Sequence, residues 1–193
     1  GRSTILKKIN EIDSAITKDS PEAKLIVDRL KELEHEGYQY EGAECSFELV
    51  ISKILGKYQP FFALNEFKVI VNEPAVNSIN SSAMIKIGVG EQAEITAAEG
   101  CGPVNALDNA LRKALERFYP EIREMKLTDY KVRVLDSQSA TAAKVRVLIE
   151  TTDGKDVWTT IGVHTDIIHA SWKALVDSIE YKLIKDKNGN KDR

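Results

Sequence analysis

The groups in this chain able to do chemistry are three histidines, two cysteines and a scatter of carboxylates. Their spacing argues against most reactions. His164 and His169 stand close together at a turn and a helix start with no matching carboxylate pattern, and His35 is remote, so they do not read as metal ligands. Cys45 and Cys101 lie in unrelated contexts and suggest neither a disulfide framework nor a zinc site. Cys101 precedes a helix start, a position that favours thiolate chemistry in general, but no histidine adjoins it in sequence. Glu99, Asp136 and Asp166 serve equally well as turn or cap residues. There is no phosphate loop, nucleophile elbow or zinc-protease helix. What remains is a site made largely of backbone. Glu99-Gly100-Cys101-Gly102-Pro103-Val104-Asn105 is a glycine-flanked turn that enters a helix, with proline at the first helical position. Its glycines permit close approach of a ligand or a neighbouring chain. The unpaired N–H groups of the helix start favour an anion such as a carboxylate. These residues describe a binding or regulatory module.

The elements that must position this turn follow from hydrophobic periodicity. Residues 4 to 57 read as three helices, the second started by Asp19-Ser20-Pro21-Glu22 and stopped by Gly37, the third spanning Glu41 to Lys57. They hold too little apolar surface for an independent domain and read as a connecting segment that docks on something larger. From Pro60 the period changes to that of strands: 67–71, 83–89 and 92–98, followed by a helix striped with Val104, Leu107, Leu111, Leu115 and Phe118 and ended by Pro120. The unit then repeats. Strands are expected at 130–135, 143–149 and 157–163, with a turn at Asp153-Gly154 and a last helix capped by Asp166. Ala106, Ala110, Leu111 and Leu115 recur 64 positions later as Ala170, Ala174, Leu175 and Ile179. The fold class is therefore α+β: a helical linker over residues 1–59, then residues 60–193 as two tandem β-β-β-α units, about 60–125 and 126–186, with a pseudo-twofold relation. The matching turns around Gly100 and Thr165 would lie near each other across that relation. The polar tail from Lys185 is expected to fray.

Composition narrows the function classes. At 193 residues and a net charge of -3 with interspersed signs, nothing marks a nucleic-acid surface. No apolar run is long enough for a bilayer and no signal peptide is apparent, so a cytoplasmic protein without a membrane partner is expected. The start, Gly1-Arg2-Ser3 without Met, suggests a fragment or a processed product.

Three stretches carry a family resemblance: Gly37-Tyr38-Gln39-Tyr40-Glu41-Gly42-Ala43-Glu44-Cys45-Ser46-Phe47-Glu48-Leu49, Gly100-Cys101-Gly102-Pro103-Val104-Asn105-Ala106, and Gly162-Val163-His164-Thr165-Asp166-Ile167-Ile168-His169-Ala170-Ser171. With them the chain resembles, over essentially its whole length, the C-terminal regulatory region of the 2-isopropylmalate synthase and citramalate synthase family, the first stretch pointing to the citramalate branch. The resemblance implies that this region is not itself an enzyme. In the family a catalytic barrel, absent from this sequence, condenses acetyl-CoA with a 2-oxo acid using a divalent metal; no cofactor is expected in the present chain. The resemblance further implies a homodimer that binds the pathway's end product, isoleucine or leucine, at the dimer interface, with the helical segment passing the effect to the barrel. Matched by motif, the effector site would comprise Gly100, Gly102 and Asn105 from the first loop, Val134, Ser137, Ala140 and Ala142 from a strand end and the loop after it, and Asp166 and Ile167 from the last turn. Ala140 and Ala142 would share one face of a strand and leave room for a branched side chain. Isoleucine, leucine and dimerisation without a ligand remain open at this point.

Overall fold

The computed structural model of the chain describes residues 2–76, 78–136 and 142–191. Its elements run α1 (Arg2–Ile12), α2 (Pro21–Glu36), α3 (Glu44–Ile54), β1 (Ala63–Val76), β2 (Ile79–Val89), β3 (Gln92–Gly100), α4 (Pro103–Leu115), β4 (Lys126–Val134), β5 (Val145–Thr152), β6 (Val157–His164) and α5 (Ile167–Lys191). This is the expected α+β order. Contacts divide the chain into two compact units that do not follow sequence order. One comprises Gly1–Gln59, Asp129–Glu150 and Trp158–Ser178; the other comprises Pro60–Thr128, Thr151–Val157 and Ile179–Arg193.

In the first unit, Pro21 opens α2 and Gly37 closes it in the left-handed region at φ 114°, where a side chain would be strained. The Gly37 and Tyr38 N–H groups return to the Glu34 and Leu33 carbonyls. Ser20 does not cap the helix with its side chain; its hydroxyl accepts from Thr17 N–H instead, at 2.9 Å. The helices close a small core of Ile9, Ile16, Ala23, Ile26, Leu30, Leu33 and Ile51. Within the same unit α3 is tied to the sheet and last helix. The Ser46 hydroxyl donates to Asp177 Oδ2 at 2.9 Å and accepts from Ile161 N–H at 3.0 Å. Gly37 is pressed against Leu135 and Val163: a Cβ there would lie 2.4 Å from Leu135 Cδ1. Trp158 Nε1–H donates to the Ser178 carbonyl and the Thr160 hydroxyl to the Ala174 carbonyl, seating β6 on α5. Gly162 lets the two backbones touch, since a Cβ would stand 2.0 Å from the Ala170 carbonyl oxygen.

In the second unit, β1–β2–β3 form an antiparallel sheet with Ile85 opposite both Phe67 and Thr96. Strand alternation sends Ala83, Ile85 and Ile87 into the core, where α4 buries Ala106, Leu107, Ala110, Leu111, Ala114 and Leu115. The helix stops at Leu115, earlier than the apolar stripe to Phe118 implied. Both Phe118 and Tyr119 N–H groups fold back onto the Leu115 carbonyl, and Pro120 opens a separate 3₁₀ turn, Pro120–Glu124.

The second sheet has the order β4–β5–β6. The internal repeat holds at the level of packing: Ala170, Ala174, Leu175 and Ile179 are buried as completely as their counterparts 64 positions earlier. The tail does not fray at Lys185; α5 continues to Lys191. The reason is a buried ion cluster in the second unit. Lys182 Nζ sits 2.9 Å from Asp153 Oδ2, Glu124 Oε2 and Asp186 Oδ2, while Lys185 bonds Asp153 and reaches Asp156 Oδ2 at 2.7 Å. Asp153 also accepts from the Lys155 and Asp156 N–H groups, closing the β5–β6 turn with Gly154 at φ 86°. The lysines and these N–H groups together outweigh burial and hold the Asp153 carboxyl well below its usual range.

Candidate functional site

The glycine turn lies in the second unit, and its glycines differ in purpose. Gly100 makes its close approach to the start of α4 and not to open space, because a Cβ would fall 2.4 Å from Ala106 N and 2.6 Å from Asn105 Oδ1. Gly102 is extended at φ 170° and a Cβ would meet nothing within 4 Å. Its carbonyl accepts the first helical bond, from Ala106 N–H at 2.9 Å. Asn105 turns back on its own loop. Its Oδ1 accepts from Cys101 N–H at 3.0 Å, and Asn109 Nδ2 donates both to it and to the Glu99 carbonyl. The carboxamide therefore shapes the turn that leads into α4. Cys101 is exposed.

The start of α5 lies in the first unit. Asp166 Oδ1 accepts from Ile168 N–H at 2.8 Å and His169 N–H at 3.0 Å, which is the N-cap expected of it. Asp166 N–H in turn donates to His164 Nδ1 at 2.9 Å. Ile167 follows on the surface at 43% exposure. The His164 and His169 rings stack at 4.1 Å between centroids and 4° between planes. Lone pairs in two parallel ring planes do not converge on one ion, so the pair is no metal clamp. Burial, with His164 and Lys173 beside it, holds the His169 imidazole below its usual value against the pull of Asp166. Among the described residues no group of three or more His, Cys, Asp or Glu is placed to hold a metal ion.

Val134 ends β4 and is 52% exposed. Ala142 is exposed and precedes β5, which begins at Val145, not at the expected Ala143; the strand alternation expected for Ala140 and Ala142 therefore does not extend to Ala142. Ser137 and Ala140 lie outside the described residues. The structure thus groups Gly100, Gly102 and Asn105 in one turn and Asp166 with Ile167 in another.

A pair that sequence reasoning left aside joins β4 to the α5 start. Ser171 Oγ donates to the Ile167 carbonyl at 2.7 Å, which leaves the Tyr130 phenol as donor to Ser171 Oγ, also at 2.7 Å. Tyr130, Val132 and Val134 share one face of β4 by alternation, and all three are exposed. That alternation was visible in Tyr130-Lys131-Val132-Arg133-Val134; the bond from Tyr130 to Ser171 was not.

The Asp166 carboxylate already occupies the Ile168 and His169 amides, so the α5 start is not a free seat for an anion. Among the described residues no helix is long and apolar enough to cross a membrane. The chain is 47% identical over 97% of its length to an (R)-citramalate synthase of Aquifex aeolicus, and 50% identical over 96% to one of Geobacter sulfurreducens. A third, from Synechocystis, is 46% identical over 95%. The chain spans about a third of the length of these relatives, 36%, 35% and 34% respectively. Residues 41–183, which contain both turns and both sheets, match the family described as the LeuA allosteric (dimerisation) domain, and the chain belongs to that family.

Proposed function

We propose that this chain is the feedback-regulatory region of a citramalate synthase-type enzyme, a homodimer that binds isoleucine and thereby restrains a catalytic barrel lying outside this sequence. The observation that carries the reading is identity of 46–50% to three (R)-citramalate synthases across nearly the whole chain. On this reading the acyl transfer from acetyl-CoA to pyruvate, and the divalent metal it uses, belong to the barrel, in the cytoplasm. No step of that reaction is assigned to residues here. The contribution of this chain is recognition. In the second unit the α4 start would receive a carboxylate, whereas in the first the Asp166 carboxylate at the α5 start would attract an ammonium group. The resemblance assigns Gly100, Gly102, Asn105, Val134, Ser137, Ala140, Ala142, Asp166 and Ile167 to the effector, and of these Val134 and Ile167 offer exposed apolar side chains.

Thermal melting of the chain with isoleucine, leucine and valine tests the proposal. Isoleucine at one hundred times its dissociation constant should stabilise the fold by about 2.7 kcal/mol. A larger shift with leucine would reassign the effector, and no shift with any of the three would refute ligand binding.

A further inference from the structure

We propose a second binding site in the first unit, a basic groove on the β4–β5 sheet that takes a small ligand carrying a phosphate or diphosphate group. The groove encloses about 550 Å³ and is lined by Gln39, Glu41, Lys131, Arg133, Arg146 and Leu148, with Val132 at its edge. That volume falls within the range of small-molecule sites. It does not depend on the effector reading.

Charge balance is the observation that carries it. Arg146 is directed into the groove by neutral partners only: its Nε–H donates to the Gly37 carbonyl at 2.8 Å and its Nη1–H to Gln39 Oε1 at 3.2 Å. Among the described residues neither Arg146 nor Arg133 has a carboxylate within ion-pair distance, and Glu41 is the one acidic side chain that lines the groove beside Lys131, Arg133 and Arg146. Arg133 stands close enough that the two cations repel. Lys131 adds a third positive charge, shared with Asp129 at 3.4 Å. Three cations against Glu41 and the Asp129 that pairs with Lys131 leave the groove net positive, and the repulsion between its arginines is a cost that a bound anion recovers. Two guanidinium forks facing one cleft match the multiple oxygens of a phosphate, which they can bind bidentately. Leu148, on the same face of β5 as Arg146, supplies an apolar contact for the organic part of the ligand.

The neighbouring groups explain why the site is preorganised. The Arg146 head is anchored on the backbone at the α2 end, so that arm does not have to be ordered on binding. Arg133 is exposed, which makes it the residue to remove without disturbing the fold.

The test is isothermal titration of the whole chain with inorganic pyrophosphate and, separately, with adenosine diphosphate, at two salt concentrations. Binding of both, weakened by salt and reduced at least tenfold by Arg133→Ser with an unchanged melting temperature, is the expected result. Tighter binding of the nucleotide than of pyrophosphate would place the organic part on Leu148; equal binding would limit the site to the phosphates. No heat from either probe at millimolar concentration overturns the proposal. So does binding that Arg133→Ser and Lys131→Ser leave unchanged. Isoleucine is absent from every arm, so failure here leaves the effector reading untouched.

Discussion

Ser46 passes a hydrogen bond on and receives one, and the acid it serves is the unusual partner. Asp177 keeps some contact with solvent, yet burial pushes its carboxyl up to about 6, against the opposing pull of Lys53, the Ser46 bond and Lys173. The unfolded chain titrates this group near about 3.9. Between those values the folded chain holds the extra proton, so stability rises as pH falls from 6 toward 4. Asp153 acts with the opposite sign: its depressed carboxyl contributes stability above the ordinary aspartate range, and this is lost as pH falls below it. Asp177→Asn keeps an acceptor for Ser46 and removes the charge. It should raise stability at pH 7 by about 1–3 kcal/mol, discounted for the residual solvent contact, and flatten the pH dependence between 4 and 6. Melting curves at pH 4.5, 5.5 and 7 check this; an unchanged slope would refute it. Nothing in the sequence singled out Asp177, because a lone acid on a helix face reads as solvated. Ser46 lay inside a recognised stretch, but its partners are more than a hundred positions away.

At the scale of elements, periodicity located the five α-helices and six strands of the described residues, because most of them bury one face; β4, exposed almost throughout, is the exception. The errors fall where non-local contacts override composition. The last turns of α5 read as a frayed tail because their apolar stripe ends at Leu183. In fact Lys182 and Lys185 direct their charges inward to Asp153, and hydrogen-bonded charges in such a cluster each contribute about 1.5–3 kcal/mol. A chain ending after Ile184 should therefore lose about 2–3 kcal/mol, seen as a lower midpoint in urea. A midpoint equal to that of the full chain would show the tail to be idle. The first glycine of the turn was read as a seat for a ligand or neighbouring chain; it is filled by α4 itself. A sequence shows that a side chain is missing, but not what occupies its place.

For the whole molecule, the family assignment and the exposed strand faces point the same way. Ile70 and Ile95 are 60% and 65% exposed on the outer side of the first sheet, and Tyr130, Val132 and Val134 lie open on β4. Apolar surface of this kind marks association. Light scattering on the chain should give twice its 21.5 kDa mass at tens of micromolar; a monomer would argue against it. The helical segment, read from sequence as a connector of residues 1–59, is packed within the first unit against β4–β6 and the first half of α5. Lys144 and Arg146 reach the carbonyls of Glu36 and Gly37, and Ser46 reaches Asp177 and Ile161. One compact body is thus sewn from pieces that lie on both sides of Gln59. Cutting the chain there should not release the helices. Two separately expressed peptides, 1–59 and 60–193, should find each other and reconstitute the fold, as a split reporter does, with co-elution from a size-exclusion column as the readout. Independent elution of the two would show that covalent continuity, and not packing, holds them together.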